Sequence, residues 1–177
     1  FIVDAIGEKK YSSYFCVQHE QTASMAADAI WRTSRNQSIG VSMATSGPGA
    51  VNLLSGLGCS YVDSIPSICI TGQVNRIESL RYGSAKLRQS GYQEIDIVQM
   101  SKAVTKFSVQ VNSAHELKYN LAKAYSSFGV YNISNLHGNP FSLNLLKAIN
   151  FFLPFAKISK IYLSLIKWSI NFIYTDI

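Results

Sequence analysis

Over the first 125 residues the apolar positions change period repeatedly, and each change predicts an element. Residues 14–18 form a short run of β type, and residues 22–34 (TASMAADAIWRTS) hold no Gly or Pro and read as a helix with Thr22 as N-cap. Residues 38–45 (SIGVSMAT) are strand-like and break at Ser46-Gly47-Pro48-Gly49. Helical spacing resumes over residues 50–61 through Val51, Leu54, Leu57 and Tyr61. A loop at 63–66 leads into a second strand at 67–71 (SICIT). Residues 95–100 predict a short helix, 105–111 (TKFSVQV) alternate as a strand does, and 114–127 predict a last amphipathic helix with Leu117, Leu121 and Ala124 on one side. Strands alternating with helices in this way predict an α/β fold, a parallel sheet flanked by helices.

From residue 126 the vocabulary shifts. The stretch to residue 177 has no Glu, Arg, Gln, Met or Cys and is dominated by Ile, Leu, Phe, Asn, Ser, Lys and Tyr. Three readings account for it: an apolar element packed on the sheet, a basic amphipathic helix bearing Lys157, Lys160 and Lys167, or out-of-frame translation of an AT-rich gene. The expected domain limits are therefore 1–125 and 126–177, the second an apolar tail of uncertain structure.

At 177 residues the chain suits one domain, or one domain with a remnant of another. The net charge of +6 invites a nucleic-acid reading, but half of it lies in the tail and the rest is dispersed. No basic run, RNA-binding signature or zinc-finger spacing accompanies it, which argues against nucleic acid as a partner. No apolar stretch reaches the roughly 18 residues of a membrane span. Residues 1–10 carry Asp4 and Glu8 where a secretory leader would be basic, and the opening Phe1 places the expected start of the gene product further upstream. Cys16, Cys59 and Cys69 are odd in number and irregularly spaced, so buried reduced thiols in a cytoplasmic protein are expected, with Cys16 and Cys69 in apolar strand-like runs.

The chemistry gathers at strand-to-helix junctions. Glu20 follows an apolar run and precedes a helix, the carboxyl end of a strand where α/β proteins bind ligands. Two readings of it stand: a partly desolvated carboxyl between Val17 and Met25 with a raised pKa, or a solvated helix-start carboxylate favoured by the helix dipole. His19-Glu20 is not the zinc motif HExxH, and no side-chain metal site is expected. Ser46-Gly47-Pro48-Gly49 suits a sharp turn into a helix, and Gly72-Gln73-Val74 and Gly91-Tyr92-Gln93-Glu94 also follow apolar stretches.

Taken in order, HEQTASMAADAIWR, ATSGPGAVNLLSGLG, DSIPSICITGQV, GYQEIDIV and TKFSVQV resemble the N-terminal pyrimidine-binding domain of thiamine-diphosphate-dependent enzymes, in the acetolactate synthase (acetohydroxyacid synthase large-subunit) branch. The resemblance covers about residues 1–125. It implies a fragment of a carboligase or decarboxylase acting on 2-keto acids such as pyruvate. Glu20 matches the family's catalytic glutamate, which shares a proton with N1′ of the cofactor's aminopyrimidine and so promotes proton loss from the thiazolium. Pro48 and Asn52 match positions lining the aminopyrimidine pocket. Gln93 matches a glutamine near the reacting centre, catalytic and cofactor-binding, and Tyr92 stands beside it at a substrate position where the family usually has Phe. Gln73 falls in the GQV strand end as structural support. Arg88 and Gln89, ahead of GYQE, bring the chain nearer to acetolactate synthase-like proteins outside the housekeeping biosynthetic enzyme.

The resemblance also implies what lies elsewhere. The family's first strand should precede Phe1, and its Gly-Arg-Pro-Gly-Pro-Val run, expected after the last helix, is replaced from residue 126 by the tail. That favours the out-of-frame reading. Mg²⁺ is expected from a diphosphate-binding domain not in this chain, FAD is left open, and the partner is a second copy or a chain bearing that domain. On this view the chain alone is inactive. A non-catalytic partner-binding or assembly module of the same fold stands as the alternative.

Overall fold

The computed structural model describes residues 2–9, 14–35, 38–75, 77–79, 87–126 and 168–175. In chain order these form α1 (Ile2–Lys9), α2 (Glu20–Thr33), β1 (Gly40–Ala44), α3 (Pro48–Asn52), α4 (Leu54–Val62), β2 (Ser67–Asn75), α5 (Ile97–Ser101), β3 (Phe107–Val111), α6 (Ala114–Ser126) and β4 (Trp168–Thr175). A 3₁₀ turn, Lys102–Val104, extends α5 toward β3.

The sheet order is β1-β2-β4-β3. β1 and β2 are parallel, with Gly40 opposite Ser67 and Ala44 opposite Thr71. β4 is antiparallel to both β2 and β3, so those two strands share one direction. β1, β2 and β3 thus realise the expected α/β arrangement, and the tail contributes the strand between β2 and β3. Of the three readings of the tail, one Lys-bearing helix is not tested, because Lys157, Lys160 and Lys167 lie outside the described residues.

Period-two alternation in β2 builds two cores, one on each face. Ile68 and Ile70 point to one side, where Val111, Leu117 and Ala124 join them with Ile2 from α1 and Leu121 from α6. Cys69 points to the other, among Ala50, Leu53, Leu57 and Ile97, with Ala23 of α2 packed alongside. The result is three layers, helix, sheet and helix. Leu53 and Leu57 are fully buried, and each such side chain contributes about 1.5–3 kcal/mol through burial.

Five expectations need correction. Tyr14 to Val17 do not form a strand; they are exposed, Phe15 by 90%, because no described strand offers the run a ladder partner. Cys16 is consequently exposed, as is Cys59, and Cys69 alone of the three is buried. The cap of α2 is His19, not Thr22: His19 is extended (φ −138°, ψ 136°) and its Nδ1 accepts the Gln21 N–H at 3.2 Å. The helix expected over 50–61 starts at Pro48 and tightens at Leu53, whose N–H bonds the Ala50 carbonyl at 3.2 Å. β2 also runs on to Asn75, past the expected end at residue 71.

Candidate active site

Three chain segments converge where β1 hands over to α3. The first is the start of α2. With His19 as cap, Glu20 becomes the first helical residue, where peptide N–H groups favour a negative charge. The second is the bend after β1. Gly47 caps α3 at φ +64°, a conformation that side-chain-bearing residues rarely adopt. Pro48 then sits at the first helical position, exposed, and Asn52 closes α3.

These two segments meet at Glu20. Asn52 Nδ2 donates to Glu20 Oε2 at 3.0 Å. Glu20 Oε1 faces Gly49, and a Cβ on that glycine would lie 3.0 Å from Oε1 and 2.8 Å from Thr45 Cγ2. Glycine at 49 therefore lets α3 approach the carboxylate and Thr45 closely, where any side chain would crowd them. The Asn52 hydrogen bond, then Glu20's own backbone N–H, hold this carboxyl below the usual carboxylate range; burial pulls the other way and the His19 charge assists the lowering. Of the two readings of Glu20 the structure favours the helix-start carboxylate over the raised pKa, since hydrogen bonds to the charged form outweigh the partial desolvation.

The third segment is the loop before α5. Gln93 has φ +52°, and its carbonyl and Cβ press on Gly47, where any Cβ would overlap the Gln93 carbonyl oxygen and lie 2.9 Å from Gln93 Cβ. Glu94 holds the loop: its Oε1 accepts the Ser79 hydroxyl at 2.6 Å and its Oε2 the Gly91 N–H at 3.2 Å. Gln73 supports the loop from below, donating to the Ile95 carbonyl at 3.2 Å while its Oε1 accepts the Val74 N–H. Gln93 is exposed and Tyr92 stands out by 80%.

Glu20, Asn52, Gly49, Gly47 and Gln93 thus form one continuous chain of contacts, with Pro48 on its rim. Arg88 and Gln89 lie apart, lining a cavity of about 640 Å³ with Gln73, Glu94, Asp96 and Gln110. Among the described residues no group of three or more His, Cys, Asp or Glu could hold a metal ion, and no helix is long and apolar enough to cross a membrane.

The sequence reading missed a second charged group. Asp28, nearly buried in α2, accepts hydrogen bonds from Arg32 and, at 2.8 Å, from Ser60 Oγ of α4, while Arg32 also reaches Asp63. Burial alone would raise the Asp28 pKa; the Arg32 and Ser60 hydrogen bonds overcome it and hold the carboxyl low. The i,i+4 spacing of Asp28 and Arg32 was the available signal.

Residues 2–100 match the family described as thiamine pyrophosphate enzyme, N-terminal TPP binding domain. The acetolactate synthase large subunit of Cyanidium caldarium is 36% identical over 118 residues, which is 67% of this chain and 18% of that protein. The acetolactate synthase isozyme 2 large subunit of Escherichia coli (strain K12) is 38% identical over 124 residues, 70% of this chain and 21% of that protein. The acetolactate synthase of Arthrospira platensis is 39% identical over 112 residues, 63% of this chain and 18% of that protein. The chain spans about a fifth of the length of these relatives.

Proposed function

The chain belongs to the thiamine pyrophosphate enzymes through their N-terminal TPP binding domain, and from that premise we propose that it forms the aminopyrimidine half of a thiamine-diphosphate site in an acetolactate synthase-like enzyme. The observation that carries the proposal is the Glu20 carboxylate held by Asn52 at the start of α2, packed against a glycine where a side chain would crowd it. The donor set fits the group. A carboxylate kept ionised accepts a hydrogen bond from a ring nitrogen that carries a proton.

Bound thiamine diphosphate supplies the electron sink for decarboxylating a 2-keto acid such as pyruvate. The chain's part is position and proton control. Glu20 holds a proton between its carboxylate and the ring nitrogen N1′. Asn52 fixes the carboxylate's rotamer by occupying Oε2. Gly47 and Pro48 shape the bend that bounds the ring; Gln93, whose backbone is held against Gly47, and its neighbour Tyr92 take the reacting-centre and substrate roles that the family resemblance implies.

The diphosphate and its Mg²⁺ would be held by a separate domain, on a second copy or another chain. The exposed apolar run from Tyr14 to Val17, immediately before Glu20, supports a partner surface at this edge. The composition change at residue 126 supports an out-of-frame origin for 126–177, while β4, from that stretch, pairs with β2 and β3 and weighs for an apolar element packed on the sheet; the nucleotide sequence around codon 126 distinguishes the two.

Isothermal titration tests the half-site. Thiamine diphosphate with Mg²⁺ is expected to bind tightly only when a chain bearing the diphosphate domain is present, and Glu20→Gln is expected to weaken that binding. Equal binding by wild type and variant would remove the assignment.

A further inference from the structure

Three contacts between α2 and the α3–α4 segment repeat with one offset. Glu20 meets Asn52 across 32 residues, and Asp28 meets Ser60 across the same interval. Between them Ser24 meets Gly56, at the same offset again. Steps of four residues lie on one helix face, so these contacts are rungs of a ladder between two segments running in the same direction.

The middle rung sets the spacing. A Cβ on Gly56 would overlap Ser24 Oγ and lie 2.7 Å from Ser24 Cβ and 2.8 Å from the Met25 backbone nitrogen. The Met25 nitrogen belongs to the helix backbone and cannot rotate aside. Ser24 is itself held, its hydroxyl donating to the Gln21 carbonyl at 3.0 Å, and it is buried. The lower rung locks register: Ser60 Oγ bonds Asp28 at 2.8 Å, both residues buried, and Arg32 clamps the same carboxylate. The upper rung is the Glu20–Asn52 bond.

We propose that Gly56 and the Asp28–Ser60 bond are positioning residues for the candidate site, fixing α4 against α2 so that the Asn52 amide reaches the Glu20 carboxylate. The inference rests on the proposed role of Glu20, yet it concerns a contact made without any cofactor. Hydrogen bonds fade steeply beyond about 3.5 Å. Moving α4 outward by several tenths of an ångström at Gly56 would carry a 3.0 Å bond, one turn along, to that limit.

The test uses the full 177-residue chain without ligand. Carbon-detected NMR follows the Glu20 side-chain carboxyl through an acid titration in wild type, Asn52→Ala, Gly56→Ala, Ser60→Ala and Val111→Ala. The charged or titratable neighbour facing Glu20 is His19, on the same segment, and it is common to all five proteins. Gly56→Ala is expected to move the Glu20 midpoint upward, toward the Asn52→Ala position, and Ser60→Ala to move it the same way by less. Val111→Ala opens the core on the opposite face of the sheet and is expected to lower the melting temperature with no movement of the Glu20 midpoint. A Glu20 midpoint at the wild-type position in folded Gly56→Ala overturns the proposal. If Gly56→Ala does not fold, an unmoved midpoint in Ser60→Ala does so. Failure here leaves cofactor binding to be judged by the titration with thiamine diphosphate, so the two ideas fail separately.

Discussion

Asn52 Nδ2 donates to Glu20 Oε2 at 3.0 Å, joining the end of one short helix to the start of another. The pairing favours the charged form of the carboxyl on which the functional account turns. Because the Asn52 bond favours the charged form, the Glu20 pKa is depressed in the folded chain. A depressed carboxyl contributes stability above its unfolded value, near ~4.3, and loses it as pH falls through the folded value. Asn52→Ala is therefore expected to destabilise the chain at neutral pH and to match wild type in acid, where Glu20 is protonated in both. Thermal melts across that window check the convergence.

Gly47→Ala tests the bend. The position sits at φ +64° and any Cβ would overlap the Gln93 carbonyl oxygen. Strain of this kind costs about 1–3 kcal/mol. Urea unfolding is expected to show that loss, and tryptophan-free probes of the loop, such as a label at Tyr92→Cys in a Cys16→Ser, Cys59→Ser background, to report displacement of the Gln93 segment.

Leu57→Ala tests the core beneath the site. Leu57 is fully buried among Ala50, Leu53, Cys69 and Ile97. Deleting a buried leucine side chain to alanine costs about 2–5 kcal/mol. A loss well under that range in urea unfolding would mean that α4 does not pack on β2 as described.

The thiols separate by burial. Cys16 and Cys59 are exposed, whereas Cys69 is enclosed, with Ser42 Oγ 2.8 Å from its sulfur and burial pushing its pKa up to about 12. Thiolate is the reactive form, so Cys69 is expected to resist a disulfide reagent at neutral pH while Cys16 and Cys59 react. Counting fast and slow thiols before and after unfolding checks this.

What was readable from the chain follows the range of each interaction. The bend at Gly47 to Gly49 could be read because its demand for glycine is local, and β3 and α6 because their periodicities are self-contained. The run at 14–18 has the same apolar character as β1, but a strand exists only where a neighbour supplies hydrogen bonds, and periodicity does not report neighbours. The same blindness hid β4: Trp168–Thr175 reads as apolar, and only the fold reveals that it enters between β2 and β3. The sign of the Glu20 shift depended on Asn52, 32 residues away, and on His19 taking the cap that residue preferences would assign to Thr22. That a glutamate opens α2 was legible; which of its two protonation readings holds was not.

The most direct measurement is turnover of a 2-keto acid by the enzyme reconstituted from this chain and a chain bearing the diphosphate domain, comparing wild type with Glu20→Gln at saturating thiamine diphosphate and Mg²⁺. Loss of a positioned proton-transfer group lowers rate by about 10²–10⁴-fold, and a fall of that order is the expected result. Undiminished turnover by the glutamine variant would contradict the account.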